Sequence, residues 1–371
     1  MAVKASGSPL SFSEIETEFG QNSDRDLGEY RVSQTIGGLS NQPLDTSIPQ
    51  SGAIKFSDFY SKRLNVVIDY HSGSAENKPS DAKTRYDASA GTGTHTVIGG
   101  FATRPTNSSG TKTRIHVNKT IGSATGNVNN CAVRTGTGWD SGTVLTVEVG
   151  SSGAIVGAGG NGGEGGTSGS PNGENGGGGS SALGVQYSGT TVINNGGSIT
   201  AGGGGGGGGG FRKVEREENF SGPVIAANGG GGGGGQGVPA GSGGNGSNNG
   251  TAGSASSGGN GGKGGDDETK EDTFVFGGGG GGGAFNGNGG EGGTNSQTSA
   301  VGNDGANGTS SSGGNGASGT HSGSIEGENN VQGSGGTGGS NGAAIRRTSG
   351  ITVNIPSMTG ITGATDATGV S

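Results

Sequence analysis

The chain has 371 residues, of which 97 are glycine and only 25% are hydrophobic, and it carries a formal net charge of -8. The acidic balance argues against a nucleic-acid partner, and a lone cysteine, Cys131, excludes an intrachain disulfide or a cysteine-cluster metal site. Composition alone would place the chain with low-complexity or disordered proteins, but the glycine bias is confined to one region.

The opening, MAVKASGSPLSF, lacks the apolar core of a signal peptide, and no run approaches the roughly 18 apolar residues of a membrane span. The sequence therefore reads as a protein made in a cytoplasm and carried outward, if at all, by something else. Residues 1–62 are compositionally ordinary and hold two related patterns. In SFSEIETEFG, Ser11 is an expected helix N-cap with Glu14 three residues on, Phe12, Ile15 and Phe19 share a face, and Gly20 stops the helix. IKFSDFYSKR from Ile54 repeats the Phe-Ser-acid-aromatic core with Phe56, Phe59 and Tyr60. The stretch between, with Leu27 to Tyr30, Pro43 and Pro49, reads as loop. Two readings stand: a small helical cap on the next domain, or a docking module for a larger assembly.

Residues 63–155 read as an all-β domain. LNVVIDY from Leu64, THTVIGGF from Thr94, TRIHVNKTI from Thr113, CAVRTG from Cys131 and TVLTVEV from Thr143 are rich in β-branched residues and separated by turn-forming residues. Short strands in succession predict an antiparallel β-sandwich, with Trp139 and the valines in its core. One motif recurs: SGTVLTVEVGSSGAIVGAGG from Ser141 is echoed by SGTTVINNGGSITAGGGG from Ser188 and by SGITVNIPSMTGITGA from Ser349. Each is strand, turn and second strand, so these copies are expected to form a base from which the glycine region projects and to which the chain returns, 343–371 being the closing segment.

Between them, residues 156–342 hold nine consecutive glycines from Gly202 to Gly210 and shorter pure runs at Gly229 to Gly235 and Gly277 to Gly283. Beside these runs, non-glycine residues recur at every third position: Asn161, Glu164, Thr167 and Ser170; Ser257, Asn260, Lys263 and Asp266; Phe285, Asn288, Glu291 and Thr294; Ser312, Asn315 and Ser318; Ser334, Thr337 and Ser340. A slack linker has no reason to keep that rhythm. It is the repeat of an extended threefold helix rising about 3.1 Å per residue, in which glycine permits close backbone approach. Only nine prolines and broken triplets disfavour collagen. The expectation is a bundle of polyglycine II helices, pure runs inside and side-chain stripes facing water, held by backbone hydrogen bonds between neighbours.

Two charged, aromatic segments interrupt the bundle: 211–227, with Phe211, Arg212, Lys213, Glu215, Arg216 and Phe220, and 266–276, with Asp272, Phe274 and Phe276. Set on a rigid scaffold, they are expected recognition loops; the bland alternative is that they keep the lattice soluble. Spacing leaves open whether both emerge at one end. Softer loops are expected at 297–311 and 322–332. Chance GxGxxG matches lack a strand-turn-helix context, and His71, His95, His116 and His321 are scattered. Asp266 and Asp267 have no apolar pocket to tune them. No enzyme activity, metal or cofactor is therefore expected.

A β-rich part followed by glycine-rich rods and variable loops resembles the tail-fibre tip adhesins of T-even-type bacteriophages. LNVVIDY, IHVNKTIGSATGN, GWDSGTVLTVEVGSSG and the nine-glycine block are similar to glycine-rich structural or tail-fibre proteins of marine cyanophages, and SFSEIETEFG and IKFSDFYSKR to a short module on phage tail and virion proteins. The resemblance implies a polyglycine II sandwich whose distal loops bind an outer-membrane protein or lipopolysaccharide of the host. It also implies a virion protein, assembled in the host cytoplasm, that joins other tail or virion proteins through Phe12, Ile15, Phe19, Phe56, Phe59 and Tyr60. T-even adhesins begin with a different attachment domain, so monomer and homotrimer both stay open. The main rival is a structural appendage or neck decoration that binds no receptor. An ice-binding role would require a regular Thr or Ala array, which the mixed third positions lack.

Overall fold

The computed structural model describes residues 3–19, 26–31, 35–36, 39–40, 47–64, 66–70, 81–88, 96–98, 110–123, 127–216, 225–267, 274–294, 302–310, 312–322 and 328–370. Among these the fold is predominantly β, with two α-helices, Phe12–Phe19 and Ala82–Ala88.

The strands wind into a three-sided coil. In Lys112–Val117 and Val144–Val149 every second residue is buried, so Ile115, Val117, Leu145, Val147 and Val149 point into one core, the period expected of strands with one covered face. The first side carries Cys131–Arg134, Ser181–Val185, Ile345–Arg347 and Ala367–Thr368. The second carries Thr96–Ile98, Val66–Tyr70, Lys112–Val117, Val144–Val149, Thr190–Asn194 and Val353–Asn354, in that spatial order. The third carries Thr120–Ile121, Ala154–Val156, Ser198–Thr200 and Ile361–Thr362. Each echoing segment contributes a strand to the second side and one to the third. Stacking these copies sets like against like, giving an Ile121, Ile155, Ile199, Ile361 ladder and an Ile68, Ile115, Val147, Val192 ladder.

This overturns the expected antiparallel sandwich: the sheets are mainly parallel, and among the described residues of the coil only Thr96–Ile98 pairs antiparallel, with Val66–Tyr70. The physical reason is the repeat itself. A chain that goes once round before re-entering a side must come back in the same direction, whereas the alternation of apolar and polar residues looks the same for either pairing. Trp139 lies in the coil's core as expected, its ring 5.2 Å from that of Tyr86. Tyr86 stands on a helix missed in the sequence, Ala82–Ala88, where the Asp81 carboxylate accepts from the Thr84 amide and hydroxyl.

The N-terminal residues fold round a separate core of Val3, Ile15, Phe19, Tyr30, Ile48, Phe59 and Leu64. The helix cap forms as expected: the Ser11 amide donates to Glu14 Oε2 and the Glu14 amide to Ser11 Oγ. The related segment makes a single turn, Phe56–Phe59, with the Lys55 amide donating to Asp58. Leu27–Tyr30, expected as loop, is a turn of 3-10 helix that buries Tyr30 against Phe19 and Phe59.

The glycine region is a lattice of extended segments with neither helical nor ladder hydrogen bonding. Its bonds repeat every third residue. The amides of Gly202, Gly205 and Gly208 donate to Ser180, Gly177 and Glu174, those of Gly203, Gly206 and Gly209 to Gln236, Gly233 and Gly230, and those of Gly207 and Gly210 to Gly314 and Ala317. Further bonds tie 202–211 to 157–167, 277–285 and 333–342, so this segment is surrounded on all sides. The two other pure runs, 229–235 and 277–283, are likewise buried and bonded to segments all round them. A Cβ built on Gly206 would overlap the carbonyl oxygen of Gly281, a clash between two backbones that no rotamer change can relieve.

Two expectations change. Residues 302–309, expected within a soft loop, form another lattice segment, Gly302, Gly305 and Gly308 donating to Gly293, Gly290 and Gly287. The third-position side chains also do more than face water. Asn161, Asn172, Asn175, Asn260, Asn307 and Asn315 each accept a backbone N–H from an adjoining segment, supplying the acceptor that a peripheral amide lacks.

Candidate display surface

The hydrogen-bond register fixes the direction of every segment. Segment 202–211 leaves the coil strand Ser198–Thr200, and 229–238 runs back beside it until the Val238 carbonyl accepts from Ser123 of the coil. Followed in this way, the described connections at the near-coil end are tight, at 238–240, 254–257 and 285–287, with Ser254 bonded to Ser257, and Thr309 there bonds to Ser312. The far end carries the long excursions. Sequence spacing left open whether the two charged segments share an end; they do.

At the far end Arg212–Arg216 pairs antiparallel with Ile225–Ala227 and with Glu328–Gln332. Asp266–Asp267 pairs with Phe274–Phe276, which pairs with Thr320–Ser322. The two small sheets lie against each other. The stretch 320–332 thus supplies a strand to each sheet, a role that sequence reading missed when it set part of it down as soft loop. Its position was the available signal, since like the other two it interrupts a period-three segment.

The expected recognition residues separate by depth. Phe211 and Phe276 are each 1% exposed and form the floor between lattice and sheets, so the expectation that their rings meet a partner is corrected. The cause is local: both adjoin pure-glycine runs in the lattice interior, where an aromatic side chain has neighbours all round. Arg212 is also buried, and its Nη1 donates to Gln332 Oε1 at 3.3 Å while Gln332 Nε2 donates to the Gly319 carbonyl. Burial pulls the pKa of the Arg212 guanidinium below its usual value. Lys213 is half-buried, whereas Asp266 is exposed. Glu215, Arg216 and Phe274 lie on the paired strands, and Phe220 and Asp272 fall outside the described residues.

The attachment residues separate likewise. Ile15, Phe19 and Phe59 are wholly buried in the N-terminal core, which removes them from any contact surface. Phe56 is 39% exposed and meets the half-buried Phe12 edge to face at 6.0 Å. Tyr60 is half-buried, its hydroxyl donating to the Ser8 carbonyl. Among the described residues no cluster of His, Cys, Asp or Glu could hold a metal ion, and no helix is long and apolar enough to cross a membrane.

Residues 94–273 match the family model for the phage tail fibre adhesin Gp38. The chain resembles a phage tail-fibre adhesin. The matched segment takes in much of the coil, the nine-glycine run and the first far-end excursion, and an adhesin of this kind is a virion component whose work is binding. No curated protein matches the sequence. A solved structure of the gp37-gp38 adhesin tip complex of the bacteriophage S16 long tail fiber aligns over 98% of this chain and 100% of that one, at 18% identity and a TM-score of 0.39.

Proposed function

We propose that the protein binds a receptor on the host cell surface, an outer-membrane protein or lipopolysaccharide, through the far-end strands and the loops they carry. In this reading the glycine segments are polyglycine II helices, and their lattice is a stiff platform whose stability is independent of loop sequence. The observation that carries the reading is the polarity of the lattice: its long, charged excursions share the end away from the coil, while the described connections at the coil end are tight. Three-residue periodicity of the hydrogen bonds supports the polyglycine II assignment. Residues 1–62 serve as the module that joins other tail or virion proteins, with Phe56 and Phe12 as the aromatic pair within reach of a partner. Residues 63–155 and 343–371 act together as the base of the lattice built from 156–342.

The test is a graft. Replacing 212–227, 266–276 and 320–332 by the corresponding stretches of an adhesin with another host should redirect adsorption while particles assemble normally. Unchanged adsorption would discard the receptor-binding reading and leave a structural appendage or neck decoration in its place.

A further inference from the structure

We propose a second binding site, for an uncharged saccharide, in the cleft where the third side of the coil meets the near-coil turns of the lattice. The cleft measures about 470 Å³, within the range of small-ligand sites. One wall is the outward face of the coil, where Thr120 stands in register with Ala154 and Ser198, and Val156 with Thr200 and Thr362. The opposite wall comes from the lattice turns and includes Gln236, Phe285 and Asn286.

Gln236 points to a ligand. The residue is only 4% exposed, it lines the cleft, and its side-chain amide has no hydrogen-bond partner among the described residues. The side chain is buried while its amide opens onto the cleft, and a carboxamide offers one donor and one acceptor side by side. Phe285 and Asn286 add a second signal, since both hold left-handed backbone at φ 62° and 72°, a region that bulky L-residues rarely adopt. Such strain gathers at functional sites, and here it holds an aromatic ring and an amide at the same cleft. The ring lies close to Gly203, where an added Cβ would come within 3.1 Å of its Cδ2.

The lining decides the ligand class. No Lys, Arg, Asp or Glu contributes to it, so neither a phosphate or carboxylate nor an ammonium group would find a counter-charge. Hydroxyls, carboxamides and one aromatic ring suit a sugar, whose vicinal hydroxyls match donor-acceptor pairs and whose C–H face covers an aromatic surface. The site lies at the opposite end of the lattice from the far-end loops, so it does not depend on what those loops bind.

Saturation-transfer NMR on the full chain with methyl α-glucoside, methyl α-galactoside, N-acetylglucosamine, maltose and lactose as probes tests the assignment. At least one probe should bind, with affinity falling about tenfold or more in Gln236→Ala and in Phe285→Gly, the second change removing the ring while suiting the left-handed backbone. Asn286→Gly provides a further variant that leaves the turn unstrained, and grafts of the far-end loops should leave the binding unaltered. Absence of transfer to every probe, or binding that survives both Gln236→Ala and Phe285→Gly, would overturn the site.

Discussion

The amide of Thr337 donates to Asn175 Oδ1 at 2.8 Å, and the Thr337 hydroxyl donates to the same oxygen at 2.9 Å. Asn172 serves Ser334 in the same way one repeat along. These side chains take the place of the lattice segment that a peripheral amide does not have. Asn175→Leu removes the acceptor at a solvent-reached position, so water compensates in part and the expected loss is about 1 kcal/mol. Asn175→Asp keeps an acceptor and should fall nearer wild type. Equilibrium unfolding of the two variants decides the matter: equal destabilisation would show that the oxygen is not what counts.

The lattice interior should behave differently. At Gly206 an added methyl meets the Gly281 carbonyl, and both partners are main chain held by bonds on several sides. Gly206→Ala should therefore exceed the roughly 1–3 kcal/mol of ordinary overpacking and loosen segments far from it in sequence, 229–238 and 277–285 first. Glu291→Ala, at an exposed third position, should stay within about 0.5 kcal/mol. Hydrogen exchange of the glycine amides reports both. Protection in Gly206→Ala equal to wild type would mean that the lattice tolerates a side chain in its interior.

In the coil, Ile199 is fully buried between Ile155 and Ile361 in one ladder. Ile199→Ala should cost about 2–5 kcal/mol, whereas Thr191→Ala, on the outward side of a neighbouring strand, should be nearly neutral. Denaturant midpoints of the two variants measure the contrast, and similar midpoints would show that the ladder is not a packed core.

What was legible in the sequence depended on range. Val144–Val149 and Lys112–Val117 read as strands because each alternates over a few residues. Their parallel pairing did not, because it is decided by where the chain returns after a full turn. The clue lay in the echo of Ser141 to Ile155 by Ser188 to Ile199 and by Ser349 to Ile361, which meant stacked copies and was read only as a common base. The three-residue rhythm is the spacing of the lattice hydrogen bonds, set locally by glycine. Yet Asn161 looked like a residue shown to water, since the amide it serves lies 81 positions away.

The candidate site was legible in part for a similar reason. Mixed charge and aromatics at 211–227 and 266–276 marked interruptions of the lattice, but composition could not sort floor from surface. Phe211 and Phe276 are the aromatic residues nearest the glycine runs, and continuity with the runs draws them inside. The strand Glu328–Gln332 carries little β signal by itself and is held by its partner Arg212–Arg216, which no local pattern announces.

The N-terminal helix carries a pH dependence whose sign follows from its cap. Lys4 Nζ lies 2.7 Å from Glu14 Oε1, and Glu14 Oε2 accepts from the Ser11 amide and hydroxyl at 2.8 Å each. Hydrogen bonding by Lys4, then by Ser11, lowers the Glu14 pKa from 4.5 to about 2. The folded value lies below the unfolded one, so the contribution is fully present above about pH 4.5 and is lost as pH falls through about 2. Glu14→Gln should flatten the acid limb of stability across that window, and Lys4→Ala should move the Glu14 midpoint back toward 4.5. Carboxyl NMR titration of Glu14 reads this directly. A midpoint at the ordinary value in the unsubstituted protein would mean that the cap and the Lys4 pair do not form in solution.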